Sequence, residues 1–436
     1  MQTGYLFFAI YASLIFWVFP KITFIKNAGL SAAEVRILLA LKMLGGIICA
    51  FYFENIFLTA DYGSFNAEGK LQSEWLLSNP ALFFKDIRTD IDTYGLGNIF
   101  DTANSFWGNI KFTLLVKVLA VFSLITGGNF YLNSAVFCSF VFFGHIAFYR
   151  IFSQLFKGHK LKILLVCFFI PSVVLYTSCV QKEGFVFLSL GMISFVFYNA
   201  VKGTRFISIK SVIVFLAAII TIFLFRNYVV IALLPAMITA LFINYFPLNK
   251  RMVFFLCYCF YCILFFMSGL FNNSLNLPEA VVKRKAEFAI PVAANTNIAM
   301  NELYPNIKSF LYNLPQAINH SLFRPYLWEY SNPAVILTAL EIFFYQLIFV
   351  AYIFFRNKKE TMTQLFNLYG LAFFFTMMLI IGYTIPNIGA IVRYRSIFWI
   401  FLLCPLVCSI DWARLDFFTK KRSKKVNSKS GFNIKE

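Results

Sequence analysis

An all-α, polytopic transmembrane helix bundle of about eleven spans, with twelve as the alternative, is what this sequence predicts. Three observations carry that prediction. Hydrophobic residues make up 60% of the 436-residue chain and charged residues 13%, with a mean hydropathy of +0.75, whereas soluble domains carry about one-quarter charged residues. Apolar runs recur along nearly the whole chain, each about the length that crosses a hydrocarbon core as a helix. Short basic turns separate the runs, and Lys and Arg near span ends collect on the cytoplasmic side.

The first run, 5–19, follows no basic segment and ends in no small-residue cleavage site, so it reads as a retained span rather than a signal peptide. Lys21, Lys26 and Arg36 then mark an inner turn, which makes 59–109 an acidic outer loop. The stretch 111–126 is apolar, but it carries Lys111 and Lys117 and ends in Gly127-Gly128. Counting it as a span would put the acidic loop and the basic turn at Lys157 on one side, so a helix lying in the outer interface is expected there. Later runs at 161–176, 185–198, 212–225, 229–243 and 252–270 read as spans. The turns between and after them carry Lys157, Lys160 and Lys162, then Lys202, Arg205 and Lys210, then Lys250 and Arg251, then Arg356, Lys358 and Lys359, all assigned to the cytoplasm. Residues 271–333 form a second outer segment, cut into short pieces by Pro278, Pro291, Pro305 and Pro315.

Residues 1–413 thus read as a single polytopic domain with outer loops 59–110 and 271–333. Residues 414–436, which include Lys420-Lys421-Arg422-Ser423-Lys424-Lys425, read as a basic, disordered cytoplasmic tail. The N-terminus is expected outside and the C-terminus inside; twelve spans would put the N-terminus and the acidic loop in the cytoplasm.

The net charge of +19 lies in turns and tail rather than in a patch, so no nucleic-acid partner is expected. All nine cysteines sit within or beside apolar runs. Cys257, Cys259 and Cys262 share one such run with no His or carboxylate to complete a ligand set, so they read as small hydrophobes. No cofactor is expected, and a divalent metal finds no support in the donor residues.

Unusual polar residues fall on the outer side. Lys182, Arg226, Arg324, Arg393 and Arg395 run against the insertion bias and point to an anionic ligand; arginine's planar fork suits phosphate. Each has a plainer alternative: Arg226 could pair with Glu341 or Glu54, Lys182 with Glu183 or another outer acid, and any outer Arg with lipid phosphate. Arg324, Arg393 and Arg395 are expected to share one anion site, because the topology brings both motifs to outer span ends. His320 and Arg324, four apart, would share a helix face and set a base beside a phosphate binder. Asp61 and Glu68, seven apart, would also align. The candidate catalytic residues are therefore Asp61, Glu68 and His320, and the candidate substrate-binding residues are Lys182, Glu183, Arg226, Arg324, Trp328, Glu329, Asn387, Arg393 and Arg395.

At Asp61, Pro171-Ser172 to Lys182-Glu183, Arg324-Pro325 and the closing Asn387-x-Gly389-x3-Arg393-Tyr394-Arg395, the chain resembles bacterial membrane proteins of surface-polysaccharide assembly. These are the O-antigen and exopolysaccharide polymerases and the polyprenyl-phosphate-sugar glycosyltransferases of the GT-C class. The resemblance implies an inner-membrane enzyme that moves a glycan from a polyprenyl-phosphate or diphosphate carrier to an acceptor hydroxyl at the outer face. Its partners would be the polyprenyl-linked glycan and membrane lipids. The GT-C pattern has an acidic pair in the first outer loop where this chain has the single acid Asp61, which favours the arginine-based, polymerase-like version. Tyr326, Trp328 and Tyr394 would stack on sugars or anchor the interface. A lipid-linked oligosaccharide flippase and a noncatalytic envelope-complex protein are the alternatives of a different class.

Overall fold

The computed structural model describes residues 2–55, 60–87, 95–97, 105–203, 208–246, 249–271, 276–289, 296–329, 333–357 and 364–414. Within these residues the chain is an all-α bundle, with no β-pairing beyond the isolated bridges Asn297–Asn387 and Arg356–Ile410. The basic tail lies, from residue 415 on, outside the described residues.

Helices α1 (Gln2–Val18) and α2 (Ala32–Asn55) lead to α3 (Ala60–Ser78), α4 (Phe106–Thr126) and the deeply buried α5 (Phe130–Leu155). Two short helices, α6 (Lys160–Phe168) and α7 (Pro171–Tyr176), precede α8 (Lys182–Val201) and the long α9 (Ile209–Tyr245). After α10 (Lys250–Phe271) come α11 (Leu277–Ala289) and α12 (Ile307–Ile318), then α13 (Pro333–Phe355), α14 (Leu365–Thr384), α15 (Ile388–Ser396) and α16 (Trp399–Cys408). The core sits around α5, where glycines let helices approach: a Cβ on Gly144 would lie 2.9 Å from the Leu188 Cα, and one on Gly191 2.8 Å from the Gly144 carbonyl oxygen.

Nine helices among the described residues are long and apolar enough to cross a membrane, ten if α15 and α16, bent by 64°, count as one broken span. The expected eleven differs from this for physical reasons. The run 161–176 is broken before Pro171 into α6 and α7, since proline disfavours a helical residue ahead of it. The runs 212–225 and 229–243 join into the single 37-residue α9, interrupted only at Arg226 (φ −150°, ψ 69°). A straight helix of that length would extend about 55 Å, well beyond a hydrocarbon core of about 30 Å; the break gives limbs 209–225 and 227–245, each near the length of one crossing.

The third difference is α4, long and apolar enough to cross where the sequence predicts an interfacial helix over 111–126. Its two ends meet the same half of the bundle. The Trp107 ring packs 5.7 Å from Phe223, one turn before the Arg226 break, while Thr126 lies against Gly4 at the start of α1.

The basic turns gather at one end. Lys160 pairs with Glu34 at 2.6 Å, Lys202 donates to Gln154 at 3.3 Å, and Asn357 donates to the Ser409 carbonyl at 2.7 Å. Asn129 donates to Tyr5 at 3.4 Å and Asn66 to the Gly128 carbonyl at 3.1 Å at the opposite end. There α11 and α12 cap α10 and α14, with Phe310 between Phe266 and Tyr383.

Candidate functional site

A cavity of about 880 Å³ opens between α8, the break in α9, α10, α11, α12, α14 and α15. Most of its wall is apolar, built from Ile231, Ala232, Phe265, Leu314, Leu379 and Ile380 among others. Its other end is polar. Lys111, Lys182, Arg226, Arg284 and Arg393 face it there, against Glu183 as the single carboxylate among the described residues.

Three elements assemble that end. Arg226 sits where α9 leaves helical geometry, and its side chain is buried. Its Nη2 pairs with the buried Glu183 carboxylate, and its Nη1 donates to the Tyr228 hydroxyl at 3.1 Å. Arg393, on α15, brings Nε to 3.3 Å from the same Glu183 oxygen and donates from Nη2 to the Tyr394 hydroxyl at 3.0 Å. Tyr394 packs its ring 3.8 Å from the Arg226 guanidinium, a cation–π contact that fixes the plane of the arginine. Two guanidinium groups thus share one carboxylate, a geometry that holds their forks rigid and leaves the cluster positive.

The remaining cations extend it. Arg284, from α11, pairs with Glu287 at 3.0 Å and stacks over Phe288, whose ring meets Tyr394 at 6.0 Å. Lys111 is within electrostatic reach of Lys182, Arg226 and Arg284. Neither Lys111 nor Lys182 makes a hydrogen bond or ion pair among the described residues. Such an excess of cations in an apolar enclosure is costly unless an anion enters.

Of the residues expected from sequence, Lys182, Glu183, Arg226 and Arg393 come together here. The partners differ from those weighed: Arg226 pairs with Glu183 rather than with Glu341 or Glu54. Glu341 instead accepts from the Ser172 amide at 2.9 Å and hydroxyl at 2.6 Å, tying α13 to α7.

The shared site for Arg324, Arg393 and Arg395 does not form. Arg324 is engaged by Glu329, at 2.6 Å from Nε and 2.5 Å from Nη2, and Glu329 also accepts from the Tyr326 amide at 3.0 Å. Arg395 is fully buried and donates to the Ser321 carbonyl at 2.7 Å, which fastens α15 to the 319–323 turn. The two side chains at 393 and 395 leave their helix on different sides because a helix turns about 100° per residue. Trp328 is exposed and stacks on Tyr326 at 5.0 Å, away from the cavity. Asn387 caps α15 through the Ala390 amide at 3.0 Å and donates to Asn297 at 3.1 Å, a structural role.

His320 and Arg324 do not share a helix face. Residues 319–323 form one π-turn and Arg324 follows it in extended conformation. His320 is buried, and burial, with Arg324 nearby, lowers its pKa to about 4, so it is neutral at pH 7. It does not line the cavity. Positions 61, 65 and 68 fall on one face of α3, and Phe65 is a wall residue of the cavity. The Asp61 side chain lies outside the described residues; Glu68 does not itself reach the wall.

Sequence reading missed Lys111 and Arg284 as site residues. Lys111 carried a signal, a cation in an apolar stretch; Arg284 had none, one charge among several in a loop.

The chain is thus a polytopic all-α helix bundle with an amphiphilic, cation-ended cavity at the end away from its basic turns. Comparison with protein-family models, with curated proteins and with solved structures finds no match.

Proposed function

We propose that this chain is an integral membrane glycosyltransferase or glycan polymerase acting on polyprenyl-(di)phosphate-linked sugars at the outer face of a bacterial inner membrane, in surface-polysaccharide assembly. The observation that carries the reading is the cavity: a long apolar wall joined to a cluster of Lys111, Lys182, Arg226, Arg284 and Arg393. A prenyl chain suits the first part and a phosphate or diphosphate the second.

In the reaction, an acceptor hydroxyl oxygen forms a bond to the anomeric carbon. The bond from that carbon to the carrier phosphate breaks, and its electron pair leaves with the phosphate. Fixed guanidinium groups stabilise the charge that grows on this leaving group, and their geometry is set before reaction by Glu183 and Tyr394. The acceptor proton goes to Asp61, whose position shares the α3 face with the wall residue Phe65, whereas Glu68 does not line the cavity. His320 is not assigned that role, because it lies away from the cavity wall.

The end bearing the basic turns is assigned to the cytoplasm, which sets the N-terminus outside, the C-terminus inside and the cavity mouth outside. Counting the limbs of α9 as two crossings and α6 with α7 as one, with α4 in the outer interface, restores about eleven passes. The test is reconstitution of the full chain in vesicles with a prenyl-diphosphate disaccharide. Release of prenyl diphosphate with growth of the glycan supports the enzyme; movement of the intact lipid between leaflets without release points instead to a flippase.

A further inference from the structure

The segment before α8 is held firmly. Lys42, buried in α2, donates to the Thr177 and Ser178 hydroxyls at 2.7 and 2.8 Å, and Cys138 of α5 donates to the Ser178 carbonyl at 3.1 Å. This pins the chain just ahead of Gln181, the residue at the N-cap of the 20-residue α8. Caps are usually Ser, Thr, Asp or Asn, whose short side chains accept from the first turn. Gln181 makes no such bond. Its side chain lines the cavity beside Lys182 and Glu183, is only 4% exposed, and leaves both Oε1 and Nε2 without a hydrogen-bond partner among the described residues.

A buried amide with both ends unpaired is unfavourable until something satisfies it. The complementary partner must offer a donor and an acceptor together. Phosphate oxygens only accept, and would leave the Gln181 carbonyl unmet. A sugar hydroxyl or an acetamido group offers both. Position adds to the argument, because the open first turn of α8 and Lys182 favour the anion within one residue of this amide.

We infer that Gln181 reads the sugar attached to the carrier phosphate, its amide pairing with a hydroxyl or acetamido group while the surrounding cations hold the phosphate; this rests on the lipid-phosphate reading above. Gln181 is then a specificity-determining residue, and its contribution separates from that of the arginines.

The test uses the full-length protein in detergent with farnesyl diphosphate, bare or bearing glucose or N-acetylglucosamine, and calorimetric affinities for each. At least one sugar-bearing probe should bind the parent more tightly than the bare one. Gln181→Met, close in shape, should weaken that probe roughly tenfold, the loss of one hydrogen bond to a buried group, and leave the bare probe unchanged. Gln181→Asn, which keeps an amide but shortens its reach, should do the same and serves if the Met variant folds poorly. Equal weakening of bare and sugar-bearing probes would overturn the assignment, as would a parent for which neither sugar adds affinity. If bare probe binds and depends on Arg393 while both Gln181 variants match the parent, only the Gln181 role falls. If the parent binds none of the three probes, the lipid-phosphate reading falls and this inference with it.

Discussion

Replacing Arg393 with Lys tests whether the cavity arginines recognise an anion by shape, and Arg324→Lys supplies the matched control. Both variants keep the charge and lose the planar fork. Arg393 holds Glu183 at 3.3 Å through Nε and Tyr394 at 3.0 Å through Nη2, and its side chain is 31% exposed on the cavity side. A lysine there spans only one of these contacts, so it cannot hold Glu183 and present a second donor to the ligand. Losing one charge-assisted contact costs about 1.5 to 3 kcal/mol, which is about 10- to 150-fold in affinity. Arg324 already spends its fork on Glu329, outside the cavity. There Lys keeps a single contact, the partly exposed pair is worth at most about 1 kcal/mol, and ligand affinity stays at the parental value. The assay is calorimetric binding of farnesyl diphosphate to the purified full-length variants, with thermal unfolding run alongside. Equal losses at both positions, or none at Arg393, would show that the Arg393 fork does not hold the anion.

Glu183→Gln removes the carboxylate shared by Arg226 and Arg393; breaking a buried pair costs about 3 to 5 kcal/mol, and the partial exposure of Arg393 puts the expected loss near the lower figure. Unfolding at matched detergent concentration reads it, and parental stability would contradict the pairing. Burial lowers the His320 pKa to about 4 from an ordinary value of 6.5, so the unfolded chain binds the extra proton between those values and stability falls as pH drops from 6.5 toward 4. His320→Gln should flatten that slope, and an unchanged slope would assign it to another group. Phosphatase fusions after Asn109 and after Leu314 should be active and one after Ser423 silent; an inactive fusion at Asn109 favours the twelve-span arrangement.

Much of the fold was legible because it follows from local pattern. Apolar runs marked the crossings, and the basic turns marked the end where Lys160 meets Glu34 and Lys202 meets Gln154. The Arg226-Asn227 interruption between two apolar runs corresponds to the break in α9. The site was only half legible. Outer-side cations flagged Lys182, Arg226 and Arg393, but nothing periodic in the sequence links Glu183 to Arg226 across two helices, or Arg284 of α11 to Tyr394 of α15 through Phe288. The ion pair that Arg324 makes with Glu329, five residues away, was not foreseen from the sequence. Charge type alone did not separate a guanidinium that faces the cavity from one already neutralised by a neighbour. Arg395 shows the same limit, since positions 393 and 395, two apart on α15, point into different surroundings.

On the proposed function, a prenyl phosphate occupies the cavity with its chain along the apolar wall and its phosphate at the cation cluster. Photo-crosslinking measures that directly, with a farnesyl diphosphate analogue carrying a benzophenone at the far end of the prenyl chain, applied to the full-length protein in membranes and followed by peptide mapping. Labelling is expected on the α10, α12 and α14 segments that carry Phe265, Leu314 and Leu379, strongly reduced in Arg226→Gln and Arg393→Gln at equal abundance and unchanged in Arg324→Gln. Labelling confined to lipid-facing helices such as α1 or α13, or labelling indifferent to Arg226 and Arg393, would contradict it.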